Sequence, residues 1–318
     1  MSLMLDVRRL RVLREVAVHG SFSAAAHALT LTQSAVSQHV AALEREVGQP
    51  LVERGTRPVG LTEAGYALTR HATGILARLD GAEQELAEIA GRRNGRLRFG
   101  TFPTALATLM PPAFERFGRT HPEVTLTVVD DHLQGLVPRL EAGELDLALI
   151  YDHEALPEIS ARELERIPLV DDPFQAVLPA GHRLTRGRRP LELSDLSGEP
   201  WVGGAPTSAW YRITAHACRQ AGFTPHASFA SDDYIAVQAL VAAGLGVSLI
   251  PGLAVAHPLP GVEVRTLASG APVRRIFAAR PRDGYHGSPV TAMLDSLRAA
   301  AAQVAPIIGA TSLATSSS

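Results

Sequence analysis

The chain is 318 residues long, more than one compact core usually takes, so two or three domains are expected. Hydrophobic residues make up 46% and charged residues 19%, enough apolar mass for a core, and no uncharged apolar run reaches the length of a membrane span. All 30 basic residues are arginine, which excludes a Schiff-base lysine, a pyridoxal-phosphate enzyme and a Walker P-loop, and one cysteine, Cys218, excludes an internal disulfide or a Cys-rich zinc site. The 12 histidines are scattered without an HExxH spacing, and neither GxSxG nor a strand-to-helix GxGxxG occurs. No catalytic activity, cofactor or metal is therefore expected. The first twenty residues mix charged and apolar side chains where a signal peptide has an uninterrupted apolar stretch, so a cytoplasmic protein without a membrane partner is expected.

Charge is unevenly distributed. Residues 1–98 carry 13 Arg against 10 acids, and residues 99–318 carry 17 against 22. A basic front on an acidic body permits a nucleic-acid-binding module joined to a second unit, although chance produces the same imbalance. Val7, Leu10, Val12, Leu13, Val16 and Ala17 recur at helical spacing; Gly20 stops that helix, and Ser21 or Ser23 caps the next. This second helix, roughly 22–29, contains Ala24-Ala25-Ala26, which lets another helix come close. After Thr30-Leu31-Thr32, a third helix runs from Gln33 to Val47. Its apolar back is Val36, Val40, Leu43 and Val47; its front is Gln33, Ser34, Ser37, Gln38 and His39, polar and without a fixed charge. A DNA-reading helix requires this division, because amides and hydroxyls pair with base edges in the major groove while the back holds the fold. A three-helix module with a Gln/Ser-rich exposed face is the alternative. Leu51 to Thr62 reads as two short strands around a Gly/Pro turn tipped by Arg54 and Arg57, a wing suited to the phosphate backbone or a narrow minor groove. The candidate DNA-binding set is Ser23, Thr32, Gln33, Ser34, Ser37, Gln38, His39, Arg54 and Arg57.

From Thr62, an N-cap, a helix extends to about Ala90 with apolar residues at Leu68, Ala72, Ile75, Leu79, Ala82, Leu86 and Ile89. That heptad seam fits pairing with a second copy of itself, with Leu68, Ile75, Leu79, Leu86 and Ile89 as its large side chains and Gly74 and Gly81 allowing close approach. A helix lying on its own domain is the alternative. Gly91-Arg92-Arg93-Asn94-Gly95 breaks the helix and supplies a hinge.

The remainder alternates strand-like and helix-like segments, an α/β pattern with mainly parallel sheets. Strands are expected at 97–101, 124–129, 145–150, 174–178, 201–202, 227–230, 246–251 and 273–279. Helices are expected to follow Thr104 as far as about Phe117, and near 134–142, 208–221, 232–243 and 289–304. Two lobes with chain crossovers make a cleft where strand ends meet helix starts. The candidate effector contacts fall after these strands: Thr101, Phe102, Pro103, Thr104, Tyr151, Gly203, Gly204, Thr207 and Asp232. Helix capping competes with ligand contact at Thr101, Thr104, Asp232 and Asp233, and Trp201, Trp210 and Tyr211 are either cleft wall or core.

Ser21-Phe22-Ser23-Ala24-Ala25-Ala26, Thr32 through Val40, Leu43-Glu44, and Leu51 through Gly65 with its Leu-Thr-x-Ala-Gly ending occur in the order and spacing of a known family. With them the chain resembles the LysR-type transcriptional regulators. Pro111-Pro112-Ala113-Phe114, Gly143 through Ala148, Leu178-Pro179-x-Gly181-His182 and Val241 through Val247 extend the resemblance into the C-terminal part. Val52 stands where the family often has Phe, and His39 where Gln or Arg is commoner. The resemblance implies a winged helix-turn-helix at 1–62, a linker and dimerisation helix at 63–90 and a hinge at 91–96. It then implies a two-lobed effector domain similar to periplasmic binding proteins at 97–304, with lobe I at about 97–163 and 267–304 and lobe II at about 164–266. Residues 305–318 are expected to be a disordered tail. The implied function is sequence-specific regulation of promoter DNA by a homodimer, further paired into a homotetramer, that senses a small-molecule effector and alters access for RNA polymerase. The family's Ser/Thr pair matches Thr101 and Thr104, and Tyr151 replaces a basic residue that some members place against a carboxylate. An enzyme or transport-type binding protein using the C-terminal fold alone would need a catalytic constellation or a signal peptide.

Overall fold

The computed structural model describes residues 5–53, 58–90, 95–159, 164–186, 191–282 and 287–309. Arg54, Arg57, most of the expected hinge and the last nine residues lie outside the described residues. Three helices come first: α1 (Val7–His19), α2 (Phe22–Ala28) and α3 (Gln33–Val47). Asp6, Ser21 and Thr32 cap them by accepting backbone N–H groups, and Gly20 and Gly48 end α1 and α3 in the left-handed region that favours glycine. Their apolar backs meet in one core of Leu10, Leu13, Val16, Ala25, Val36, Val40 and Leu43.

Val52 and Leu61 form an antiparallel bridge beneath the wing, and the Glu44 carboxylate of α3 accepts the backbone N–H of Leu51 at 2.8 Å. The helix α4 (Glu63–Ile89) then starts under Thr62, whose hydroxyl accepts the Gly65 N–H. A side chain at Gly65 would stand 2.0 Å from the Leu51 carbonyl oxygen, so glycine there is what lets the helix abut the wing. This is the physical content of the Leu-Thr-x-Ala-Gly ending.

The second core is built on β1 (Arg96–Thr101), β2 (Thr125–Asp130), β3 (Leu147–Asp152), β4 (Leu164–Pro179), β5 (Trp201–Gly203), β6 (Ala227–Ala230), β7 (Ser248–Pro251), β8 (Val262–Arg265) and β9 (Val273–Pro281). Around them lie α5 (Pro103–Thr108), α6 (Met110–Thr120), α7 (Leu133–Glu141), α8 (Ala209–Gln220), α9 (Tyr234–Ala242) and α10 (Ser288–Val304). Seven strands make one curled sheet in the order β2-β1-β3-β9-β4-β7, with β8 on β4; β5 and β6 pair separately.

Several expectations need correction. The sheet is mixed: β1 is parallel to β2 and β3, but β9 is antiparallel to β3 and to β4, and β4 is antiparallel to β7 and β8. β4 is 16 residues long, although only its last third reads as a strand, because Asp171-Asp172-Pro173 interrupts the apolar pattern. It pairs with β9 from Leu164 to Pro173 and with β7 from Phe174 onward. The helix expected to run unbroken to Phe117 is two helices, because Pro111 and Pro112 lack the N–H groups that would continue it. Strand β8 escaped the sequence reading altogether. Finally, the start of the expected tail is ordered: Ile308 is fully buried, and its carbonyl accepts from Gln175 at 2.8 Å.

Candidate DNA-reading face and effector cleft

Gln33, Ser34, Ser37 and Gln38 are exposed along one side of α3, while Val36, Val40 and Leu43 behind them are buried. His39 is half-buried at the edge of the row. Two neighbours prearrange its beginning. Ser23 of α2 donates its hydroxyl to Gln33 Oε1 at 3.0 Å, and Thr32 caps the helix through the Ala35 N–H while its hydroxyl touches that of Ser34 at 3.0 Å. Ser23, Gln33 and Ser37, with Pro58 and Val59 of the wing, line an open groove beside α3.

The expected seam of α4 divides. Leu68 and Ala72 pack on the three-helix core, so they serve their own chain. Further along, Ile75 and Leu79 are exposed, and Leu86 and Ile89 remain 65% and 77% exposed. The opposite side of the helix lies on its own second domain. A side chain on Gly143 would meet the Ala77 methyl at 2.7 Å, and Asp80 pairs with Arg96 at 3.2 Å; Leu76 is also buried. Gly74 likewise faces the chain's own Ala142 carbonyl, at 3.8 Å from its would-be side chain, rather than the exposed stripe.

In the second domain, the first strand end and the β3 end converge. Thr101, Phe102 and Thr104 are buried, Pro103 is exposed, and Tyr151 is buried with its ring edge-on to Phe102 at 5.0 Å. Neither threonine caps α5, whose cap residue Phe102 makes no side-chain cap bond. Thr101 donates only at 3.5 Å, to the Phe102 carbonyl, and Thr104 Oγ1 accepts from Arg274 at 3.1 Å.

Arg274 is the residue that sequence reasoning missed. It is 4% exposed, its Nε and Nη2 donate to Asp172 Oδ2 at 3.0 and 2.5 Å, and the Tyr151 ring faces it at 4.8 Å. The other Asp172 oxygen accepts the Leu253 N–H at 2.9 Å. Burial pushes the Asp172 carboxyl up, against the pull of Arg274 and of the Leu253 and Gly252 amides. Burial also works against the Arg274 charge, but Asp172, Tyr234 and Tyr151 outweigh it and hold the guanidinium above its ordinary value. The signal was present in the sequence: Arg274 alternates with Ile276 and Ala278, and Asp172 with Val170 and Phe174, a charge on the inward face of each strand.

Of the remaining candidate contacts, Gly203 is half-buried, Gly204 buried, and Thr207 and Asp232 exposed. A side chain on Gly204 would meet the Trp210 ring at 2.8 Å, so that position is small for packing. Asp233 caps α9, whereas Asp232 accepts the Ala205 N–H at 3.0 Å and so ties the 203–207 loop to the start of that helix. Trp201 and Trp210 belong to the core, donating their indole N–H groups to the Leu196 and Leu249 carbonyls, and Tyr211 is half-buried. Trp210 packs against Tyr234 at 4.7 Å. The buried Cys218 thiol is pushed up to about 12 by burial. No helix among the described residues is long and apolar enough to cross a membrane.

A three-helix module with a wing, joined by a long helix to an α/β domain built on a curled mixed sheet, has the make-up of a DNA-binding regulator with a second domain attached. Comparison with known proteins agrees over nearly the whole chain. Residues 7–66 match the bacterial regulatory helix-turn-helix protein model of the lysR family, and residues 90–302 match the LysR substrate binding domain. The HTH-type transcriptional regulator CbbR of Rhodospirillum rubrum is 30% identical over 93% of this chain and 96% of its own. A probable hydrogen peroxide-inducible genes activator of Mycobacterium leprae is 33% identical, covering 88% and 89%. Full-length OxyR from Pseudomonas aeruginosa superposes with a TM-score of 0.73 at 25% identity, covering 93% of this chain and 95% of that one. The chain belongs to the LysR-type transcriptional regulators, with an N-terminal helix-turn-helix DNA-binding domain and a C-terminal effector-binding domain.

Proposed function

We propose that this regulator acts as a homodimer, paired further into a tetramer in the cytoplasm, with the exposed stripe Ile75, Leu79, Leu86 and Ile89 buried against a second copy. Two copies of α3 then address two half-sites of promoter DNA, with Gln33, Ser34, Ser37, Gln38 and His39 toward the bases and Ser23 and Thr32 holding the helix start. Arg54 and Arg57 of the wing contact the backbone or minor groove. A small molecule binds between the lobes against Thr101, Phe102, Pro103, Thr104, Tyr151, Gly203, Gly204, Thr207 and Asp232. It works through its differential affinity for two settings of the lobes, which re-space the dimers and change access for RNA polymerase. No catalytic step is part of this reading. The observation that carries it is the exposed row of uncharged hydrogen-bonding side chains on α3, prearranged by the Ser23–Gln33 bond.

The named relatives include peroxide-inducible activators, and Cys218 argues against a thiol mechanism here. It is the only cysteine, so no internal disulfide can form, and its buried, high-pKa thiol has little reactive thiolate. A bound effector is the reading favoured by the buried threonines. The experiment is gel-shift titration on an operator. Gln33→Ala is expected to weaken specific binding by about 1–3 kcal/mol, the worth of a bidentate base contact, while leaving non-specific binding unchanged. Unaltered specific affinity would remove α3 from the groove.

A further inference from the structure

Beyond the cleft residues, the two lobes touch through a pair of imidazoles. His153 follows β3, in the half of the sheet shared with β1 and β9; His216 sits on α8, which is anchored to β7 by the Trp210 N–H. His153 is 8% exposed, and its ring meets that of His216 edge-on, centroids 6.3 Å apart and planes at 82°. Beside them His216 Nε2 stands 3.1 Å from Glu154 Oε1, so a second contact crosses between the same two elements.

We propose that the edge-on contact of His153 with His216 is an acid-sensitive latch between the lobes, closed while His153 is neutral and released when it takes up a second proton. The hydrogen bonding gives the reason. His153 Nδ1 accepts the Ala155 N–H at 3.0 Å, so the neutral ring carries its proton on Nε2. An imidazolium carries protons on both nitrogens, and the new one would point straight at the Ala155 N–H. Protonation therefore removes the ring's bond to the Ala155 N–H, within the turn that Leu156 closes by donating to the His153 carbonyl at 2.9 Å. It also sets a cation against the His216 edge.

The charged groups facing His153 are Asp152 and Glu154 on its own segment, His216 on α8 and Arg275 on β9. Asp152 is already bound by Arg166 and by Arg275 at 2.9 Å, and Glu154 is turned to His216 with its side chain 76% exposed, so neither offers a buried counter-charge. Burial, the largest influence, holds the His153 pKa below its ordinary 6.5 in the closed arrangement, with Glu154 acting the other way. The closed arrangement thus binds fewer protons than the open one. Its advantage is complete above about pH 6.5 and declines as the pH falls below that value.

Amide hydrogen exchange on the full chain, read as protection factors so that the intrinsic pH dependence cancels, tests this between about pH 7.5 and about pH 5.5. Segments 153–159 and 209–220 are expected to lose protection at the lower pH, by up to about tenfold, while β1 is unchanged. His153→Asn keeps an acceptor for the Ala155 N–H without a titrating ring, so its protection is expected to be the same at both values. Equal protection in the wild-type chain at the two pH values would overturn the latch, as would an equal loss in His153→Asn. Neither result bears on DNA reading or effector binding.

Discussion

Arg274 and Asp172 are neighbours across β9 and β4, 102 residues apart in the chain, and nearly inaccessible to water. Two charges are costly to bury, and this pair is tolerable because the carboxylate takes two guanidinium bonds and a backbone N–H while Thr104 accepts from the guanidinium. Removing one partner strands the other. Asp172→Ala is expected to lower unfolding stability by about 3–5 kcal/mol in urea titration, and the double change Asp172→Leu with Arg274→Met to recover most of it. A double variant as unstable as the single one would mean that the pair's hydrogen bonds, rather than the stranded charge, set the cost. Single residues were unevenly legible in the sequence. The polar row of α3 could be read because helical periodicity is local, whereas Arg274 could be placed only once the pairing of two distant strands was known. Thr104 is singled out in the sequence by the family's Ser/Thr pair, with helix capping as the alternative; its hydroxyl accepts from Arg274, and α5 has no side-chain cap bond.

Helix α4 carries two environments along its length. Its first turns are fixed to the DNA-binding core through Leu68 and Ala72, and its later turns meet the second domain at Ala77 and Asp80 while Leu79 and Leu86 face outward. An isolated chain gains nothing from large apolar side chains at those exposed positions, whereas a paired one gains about 1.5–3 kcal/mol for each that it buries. Leu79→Glu is expected to shift the protein to a monomer in analytical ultracentrifugation without loss of helical signal, and Leu76→Glu to disturb folding instead. A Leu79→Glu protein that still sediments as an oligomer would place the interface elsewhere. The sequence displayed the seven-residue repeat but not how the helix divides its faces, because Gly74 and Ala77 lie outside that repeat and meet a turn at Ala142 and Gly143, distant in sequence. Strand β4 was obscured similarly: proline and aspartate inside it are tolerable only because of the bulge near Pro168 and the internal ion pair.

At the scale of the whole molecule, two separate cores are joined by one long helix. The order of modules and the fold class were legible because each module has its own local signature. The mixed sheet direction and the docked Ala305–Gly309 turn were not, since both depend on partners distant in sequence. If the cleft is a binding site, some member of a metabolite panel should raise the melting temperature of the wild-type chain. The same compound should do so less with Thr104→Val, where the Arg274 acceptor is lost. The most direct test of the central claim, that paired copies of α3 read DNA, is selection of bound duplexes from a random pool by the purified full-length protein. A two-fold-symmetric motif whose half-sites lie a whole number of helical turns apart is the expected result, with its base preferences relaxed by Gln33→Ala. Recovery of no enriched motif, or of the same motif with undiminished preference by Gln33→Ala, would contradict it.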